Sequence, residues 1–396
     1  MGILVLNTGS SSLKFSFFDD QAVEVSVGGE VDWHGQDHPS ELIVRLAGQP
    51  ERRTPCDAHE PGDAAGLAIR TVKEALDTDR KFTAIGHRIV HGGSRFRQSA
   101  RIDPSMEAEL GHLAELAPLH NPPALKAIEA AEAEEPGVPQ VAVFDTSFFA
   151  NLPRSAAIYP TPWEWHEKFS IRRYGFHGIS HAYCAGRAAE ILGRDPADLR
   201  LVVCHLGNGC SASAIRGGVA IDTTMGFTPL AGLMMGTRSG DVDPGILTYL
   251  MEEHGLTADK IEDALNHASG LLGVSGVSAD YRKVEEAANS GHDRARLALE
   301  IYAARIRSAI GAFAATLGGL DAVVFAAGVG ENSATLRASV CDGLDFLGLR
   351  LDPARNAARP RDLDIAEDDS PARILVIHTR EDLMIAREVR RLVAMA

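Results

Sequence analysis

Residues 3–6, Ile-Leu-Val-Leu, enter a loop of small residues and leave it as the alternating run Leu13-Lys-Phe-Ser-Phe. Residues 201–204, Leu-Val-Val-Cys, behave alike. They enter His-Leu-Gly-Asn-Gly and leave as Ser211-Ala-Ser-Ala-Ile, with Arg216-Gly-Gly as the next turn. A short apolar run suits a buried strand, and strict alternation suits a strand with one face covered. A strand that returns through a short glycine-containing loop is a hairpin. This pattern constrains the fold more than any other feature, because it occurs once near the start of each half. It predicts a duplicated chain of two similar domains with a cleft between them.

The remaining pattern fits that frame. Strand-like apolar runs recur at 42–46, 141–144, 322–325 and 374–377, and helical periodicity occupies 63–76, 106–116, 181–192 and 293–317. Strands mixed with helices define the α/β class. Residues 382–396 also read as a helix, with Leu383, Ala386, Val389, Leu392 and Val393 along one side. The polar stretch 49–63 reads as an exposed loop, and residues 148–154 as a domain boundary.

At 396 residues, with 45% apolar and 23% charged residues, the chain can bury two domain-sized cores. Its net charge of −15 argues against nucleic acid or an anionic membrane as partner. Anionic small molecules stay open, since local arginines act at close range. The five cysteines contain no C-x-x-C pair, so neither a disulfide framework nor a zinc site is indicated. Free thiols in a reducing cytoplasm are expected. The N-terminus lacks the basic and long apolar regions of a signal peptide, and no run approaches the roughly 20 apolar residues of a membrane span.

Three loops of small residues each follow a buried-type strand: 7–14, 205–209 and 328–332. Small residues let backbone N–H groups approach an anion, although each loop alone reads first as a turn. The first is no Walker A loop, which needs a second glycine just before the lysine. Gly207-Asn-Gly-Cys-Ser-Ala212 fits G-x-G-x-x-A, but that fingerprint must open a helix, and here a strand pattern follows. The third loop precedes a helical pattern at 333–346, whose N-terminus could face a nucleotide.

Arg88 and Arg238 are set among glycines, and guanidinium forks suit carboxylates and phosphates; each alone reads first as a surface salt-bridge partner. Asp145 ends a strand, where α/β sites commonly sit. Glu381 and Asp382 follow the run 374–377 likewise and could hold Mg²⁺ directly or through water. His177 and His181 are spaced to share a helix face, but H-E-x-x-H is absent. A phosphoryl contact or a hydrogen-bonded structural role fits them better than zinc.

At these residues the chain resembles the acetate kinase family, of the superfamily that also holds sugar kinases, actin and the heat-shock chaperone ATPases. The matching segments are residues 7–14, 86–93, 118–122, 173–178, 205–209, 222–229, 234–243, 275–280 and 328–332, with Glu381, in family order over essentially the whole chain. The resemblance implies two duplicated actin-like (ribonuclease H-like) α/β domains. The first, 1–148, would be completed by the C-terminal helix 382–396, and the second, 149–381, would bind the nucleotide. It implies Mg²⁺-dependent (or Mn²⁺-dependent) reversible transfer of the ATP γ-phosphoryl group to acetate, giving ADP and acetyl phosphate, in a cytoplasmic homodimer. Asn7 and Glu381 would serve the metal. Lys14, His205, Leu206, Gly207, Asn208, Gly209, Asp280, Tyr281, Arg282, Gly328, Val329, Gly330, Glu331 and Asn332 would line the ATP site. Arg88 would bind the substrate carboxylate, and Val90, Leu119, Phe176 and Pro229 its methyl group. Asp145 matches the catalytic acid, and His177 and Arg238 would stabilise the transition state with His120 nearby. Phe149, Ala231 and Arg380 depart from the family's commoner residues. A propionate or butyrate kinase is the neighbouring alternative, and an actin-like or chaperone-like ATPase module a remote one.

Overall fold

The computed structural model describes residues 2–9, 11–19, 22–33, 39–76, 81–113 and 121–394. The chain divides into two compact units, Met1–Ala150 with Arg380–Ala396, and Asn151–Thr379. Glu381, which the sequence reading put at the end of the second domain, is grouped with the first.

The first unit is built on strands β1 (Gly2–Thr8), β2 (Ser12–Asp19), β3 (Val27–Asp32), β4 (Glu41–Leu46), β5 (Arg52–Pro55), β6 (Phe82–Ile89), β7 (Ala100–Arg101) and β8 (Gln140–Phe144). They form one sheet in the order β5-β4-β3-β2-β1-β6-β8-β7. The β1–β2 hairpin pairs Asn7 with Lys14 and Thr8 with Leu13. Strand β5 corrects the reading of 49–63 as a loop: this stretch adds an edge strand to β4 that is exposed along its whole length, so it has no alternation to distinguish it from a loop. Helices α1 (Pro61–Ala75) and α2 (Asn121–Glu134) cover one face of the sheet. There Leu4, Leu6, Phe15, Ile69 and Val72 share a core.

The second unit has β9 (Arg200–Leu206), β10 (Cys210–Arg216), β11 (Val219–Thr223), β12 (Ala322–Ala326), β13 (Leu363–Asp364) and β14 (Arg373–Ile377), in the order β11-β10-β9-β12-β14-β13. Its helices include α3 (Gly178–Leu192), α4 (Tyr281–Asn289), α5 (Asp293–Leu317), α6 (Ala327–Asn332) and α7 (Ala334–Cys341). The long α5 starts where His292 Nδ1 accepts from Ala295 N and stops at Gly318, whose φ of 69° releases the chain from the helix. Finally α8 (Glu381–Ala394) packs on β1, β6 and β8 of the first sheet. Gly86 in β6 admits it, since a Cβ there would lie 2.6 Å from Val389 Cγ2. Covered on both faces, β1 is apolar without alternation.

The two sheets repeat one plan. Strands β3-β2-β1-β6-β8-β7 correspond to β11-β10-β9-β12-β14-β13, with antiparallel hairpins leading into two parallel neighbours and an antiparallel edge. The duplication inferred from two hairpins therefore extends to six strands in each half. The third glycine loop requires a correction: residues 328–332 lie within helix α6, and the following helix α7 is shorter than 333–346. The change from β12 into helix is taken up at Ala327, whose φ of 64° is unusual for a residue with a Cβ.

Candidate active site

The parallel pairing of β1, β6 and β8 carries their C-terminal ends to one edge of the first sheet. Asn7, Arg88 and Asp145 stand at these ends, and α8 adds Glu381 from its first residue. The Arg88 guanidinium donates to Asp145 Oδ2 from Nη2 (2.5 Å) and Nε (3.1 Å), and to Asn7 Oδ1 from Nη1 (3.1 Å). Glu381 Oε2 lies 4.0 Å from Arg88 Nε and accepts from Asn7 Nδ2 at 3.5 Å. Asp145 is fully buried. Burial opposes the charge on Arg88, but the carboxylates of Asp145 and Glu381 more than offset it and raise its pKa. Asp382, the other carboxylate considered for a metal, instead accepts from Ser16 Oγ at 3.0 Å. Lys14 lies exposed on β2, opposite Asn7. Val90 is buried just beyond β6. Leu119 and His120 lie outside the described residues.

The sequence reading missed two side chains that hold the segment after Arg88. Asn121 brackets His91, accepting from its N–H and donating to its carbonyl, and Thr146 Oγ1 accepts from Gly92 N at 3.0 Å. Asn121 falls in the matching segment 118–122, but the resemblance gave it no role, and nothing local marks Thr146, since the partners are far apart in sequence.

His87, inside β6, is buried against Gln140 Oε1 at 2.7 Å, and burial pushes its pKa down to about 4. Its folded pKa is below the unfolded value of about 6.5, so the unfolded chain takes up the proton first. Stability should therefore be complete above about 6.5 and fall as pH drops towards about 4, by about 3 kcal/mol for this group alone. The buried His181 adds in the same sense. Urea midpoints compared at pH 7 and pH 5 check this, and equal midpoints would contradict it.

In the second unit His177 caps the N-terminus of α3 in a left-handed conformation, φ 58°. Such a backbone costs a residue with a Cβ roughly 1–2 kcal/mol and persists only where its surroundings hold it. Its ring stacks on His205 with centroids 4.2 Å apart, and its Nδ1 lies 2.9 Å from Ser211 Oγ. His205 in turn meets Ser180 Oγ at 2.8 Å. Arg238 donates from Nη1 to Pro229 O at 3.2 Å and lies 3.9 Å from Met235 Sδ. Burial lowers its pKa, yet a guanidinium stays charged at neutral pH. Gly209 lies between the two side chains. A Cβ there would be 3.3 Å from His177 Nε2 and 3.7 Å from Arg238 Nη1. Phe176 is buried beside His177, and Pro229 is half-buried.

A cavity of about 1040 Å³ adjoins these loops. Of the residues foreseen for a nucleotide, Gly207, Asn208, Asp280, Tyr281, Arg282, Gly328, Val329 and Asn332 line it. Asp280 also caps α4, accepting from Arg282 N at 2.9 Å and pairing with the Arg282 guanidinium at 2.7 Å. Gly328 faces open space where a Cβ would stand, and Gly236 lets Asn208 approach, because a Cβ there would meet its Oδ1 at 2.2 Å. Leu206 and Gly330 are buried, and Glu331 turns away to His378 Nδ1 (2.7 Å) and Thr379 N (3.3 Å). The sequence reading missed Leu271, Ser278, Glu285, Ser333 and Arg359 as lining residues.

A half-buried cation beside a glycine-lined cavity of this size suits an enzyme that handles phosphoryl groups. Together with the duplicated sheets, it defines the class: an α/β phosphotransferase. Comparison with known proteins narrows the class. The chain belongs to the acetokinase family, whose model matches residues 2–387. An acetate kinase of Gloeobacter violaceus is 51% identical, with 98% of each chain covered. Among solved structures, the acetate kinase of Porphyromonas gingivalis superposes with a TM-score of 0.91 at 41% identity, covering 99% of each chain. A propionate kinase of Francisella tularensis reaches 0.91 at 37% identity, covering 98% of each.

Proposed function

We propose that this protein is an acetate kinase, which transfers the γ-phosphoryl group of ATP to acetate, reversibly, giving ADP and acetyl phosphate. The observation that carries the reading is Arg88, a guanidinium held by Asp145 and Asn7 beside Glu381. The bonds described use three of its five N–H donors, and a small carboxylate suits the others. Asn208, Asp280, Tyr281 and Gly328 suit the nucleotide, through the cavity they line.

Acetate, with a pKa like that of a glutamate side chain, about 4.3, is ionised at neutral pH and needs no general base. Asp145 therefore acts by holding Arg88 and the metal environment. The obstacle is repulsion between an anionic nucleophile and an anionic phosphoryl group. In the first unit Arg88 suits the charge of the carboxylate, and in the second Arg238 and His177 suit that of the phosphoryl group, most strongly as charge spreads over its equatorial oxygens.

The first-unit cluster suits Mg²⁺. Two carboxylates and an amide oxygen surround one guanidinium, which leaves a net negative charge among hard oxygen donors. Asn7 and Glu381 would hold the ion, and Mn²⁺ would substitute. Mg²⁺ commonly uses one or two protein carboxylates with phosphate and water as its other ligands. Among the described residues no group of three or more His, Cys, Asp or Glu could hold it alone. Once bound, the ion would neutralise phosphate charge.

Trapping acyl phosphate with hydroxylamine tests the activity. Signal with acetate and ATP supports it, and ATP hydrolysis without an acyl product overturns it. Chain length is a separate question, which the likeness to a propionate kinase keeps open. Val90 is expected to exclude longer acids. Val90→Ala should raise kcat/KM for propionate relative to acetate about tenfold, within the 1–3 kcal/mol that one methylene is worth. A wild-type preference for propionate would overturn the acetate assignment.

The protein is also proposed to be a homodimer. The helix Pro244–His254 buries none of its residues and exposes Ile246, Tyr249 and Met251, and apolar exposure of this kind marks interaction surfaces. Light scattering at the mass of one chain would refute this. A reducing cytoplasm is the proposed location, in keeping with five cysteines that form no C-x-x-C pair.

A further inference from the structure

Two serine hydroxyls join the histidines of the second unit, and none of the roles above uses them. Ser211 Oγ lies 2.9 Å from His177 Nδ1 and 2.8 Å from His181 Nε2. Ser213 Oγ lies 2.7 Å from His181 Nδ1. Ser211 and Ser213 share one face of β10, and His177 and His181 are one turn apart at the start of α3. Ser211, Ser213 and His181 are fully buried, so the hydroxyls cannot turn to bulk water.

A serine hydroxyl has one proton, and a neutral imidazole has one N–H. When Ser211 gives its proton to one of the two rings it accepts from the other, which gives the chain a direction. In one sense Ser213 donates to His181 Nδ1, His181 Nε2 donates to Ser211, and Ser211 donates to His177 Nδ1. The proton of a neutral His177 then sits on Nε2. In the opposite sense it sits on Nδ1, and Nε2 is unprotonated. Nε2 lies with Cε1 on the ring edge that faces Gly209, on the side shared with Arg238. An anion arriving there meets a donor from the His177 ring only in the first sense.

We infer that Ser211 is a positioning residue that, with His181 and Ser213 behind it, holds neutral His177 in the tautomer carrying its proton on Nε2. The inference rests on the reading of His177 as a contact of the transferring phosphoryl group. Burial keeps His181 neutral, with its pKa well below the ordinary value. The relay thus transmits orientation without placing a second cation behind the ring. The left-handed backbone of His177 and its stack on His205 fix the ring plane that the relay then polarises.

The test is a long-range ¹H–¹⁵N imidazole spectrum of the full-length protein labelled at histidine, with the His177 signals identified by their loss in His177→Gln. The expected pattern is a proton on Nε2. In Ser211→Ala the single tautomer should be lost. The kcat for acetyl phosphate formation should fall about 10- to 100-fold, the loss typical of removing an outer partner that orients a metal-ligating imidazole, while KM for acetate and ATP changes little. A wild-type proton on Nδ1 overturns the inference without any variant. So does a folded Ser211→Ala protein with unchanged kcat. If the wild-type protein makes no acyl phosphate, the functional reading fails, and the imidazole pattern still reports on the relay.

Discussion

Replacing Asp145 by asparagine should lower kcat/KM for acetate by on the order of 10²–10³, the loss expected when one preorganised electrostatic group is removed. The substitution keeps the shape and one acceptor oxygen but removes the charge that holds Arg88 through Nε and Nη2. Glu381 remains, but 4.0 Å from Nε it cannot replace a bond of 2.5 Å. The half-buried guanidinium would be left with less compensation, which is costly in itself. Saturation should also need more Mg²⁺, because one carboxylate of the oxygen cluster becomes neutral. A variant with most of its activity and normal Mg²⁺ dependence would end the positioning role. A general-base role would show differently: the wild-type acid limb of the pH–rate profile would disappear in the variant.

Arg238→Ala should reduce kcat by about 10²–10³ with little change in KM. The contacts described for this guanidinium are a carbonyl and a thioether. Burial has already cost it solvation, as its lowered pKa records. A cation held in that state is preorganised for an anion, and it acts most strongly when negative charge spreads in the transition state. Steady-state kinetics at saturating ATP and acetate decide the matter. A pure rise in KM would assign Arg238 to ground-state binding.

Much of this was legible in the chain. The strand runs at 322–325 and 374–377 and the helix at 293–317 were found because their signal is local periodicity over several residues. The hairpin continuation at Ser211 was legible for the same reason, and it removed the dinucleotide reading. Helix α6 was not, since six residues with two glycines carry a turn's composition and become helical only between β12 and α7. Edge strand β5 was missed because an exposed strand has no apolar face to show.

The sequence by itself determined which residues could do chemistry: a charged fork at Arg88, another at Arg238, carboxylates at 145 and 381, an imidazole at 177. Those are properties of side chains, and the motif order across the chain selected the family. Tertiary structure decided what each of them touches. Asn7 and Arg88 are 81 residues apart and meet because β1 and β6 pair in parallel. Ser211 read only as one residue of an alternating strand. It lies 34 residues from His177 and 30 from His181, and only the packing of α3 on the second sheet brings its single proton into reach of both rings. Periodicity reports which face of an element is covered, whereas a hydrogen bond depends on register and proximity between elements distant in sequence.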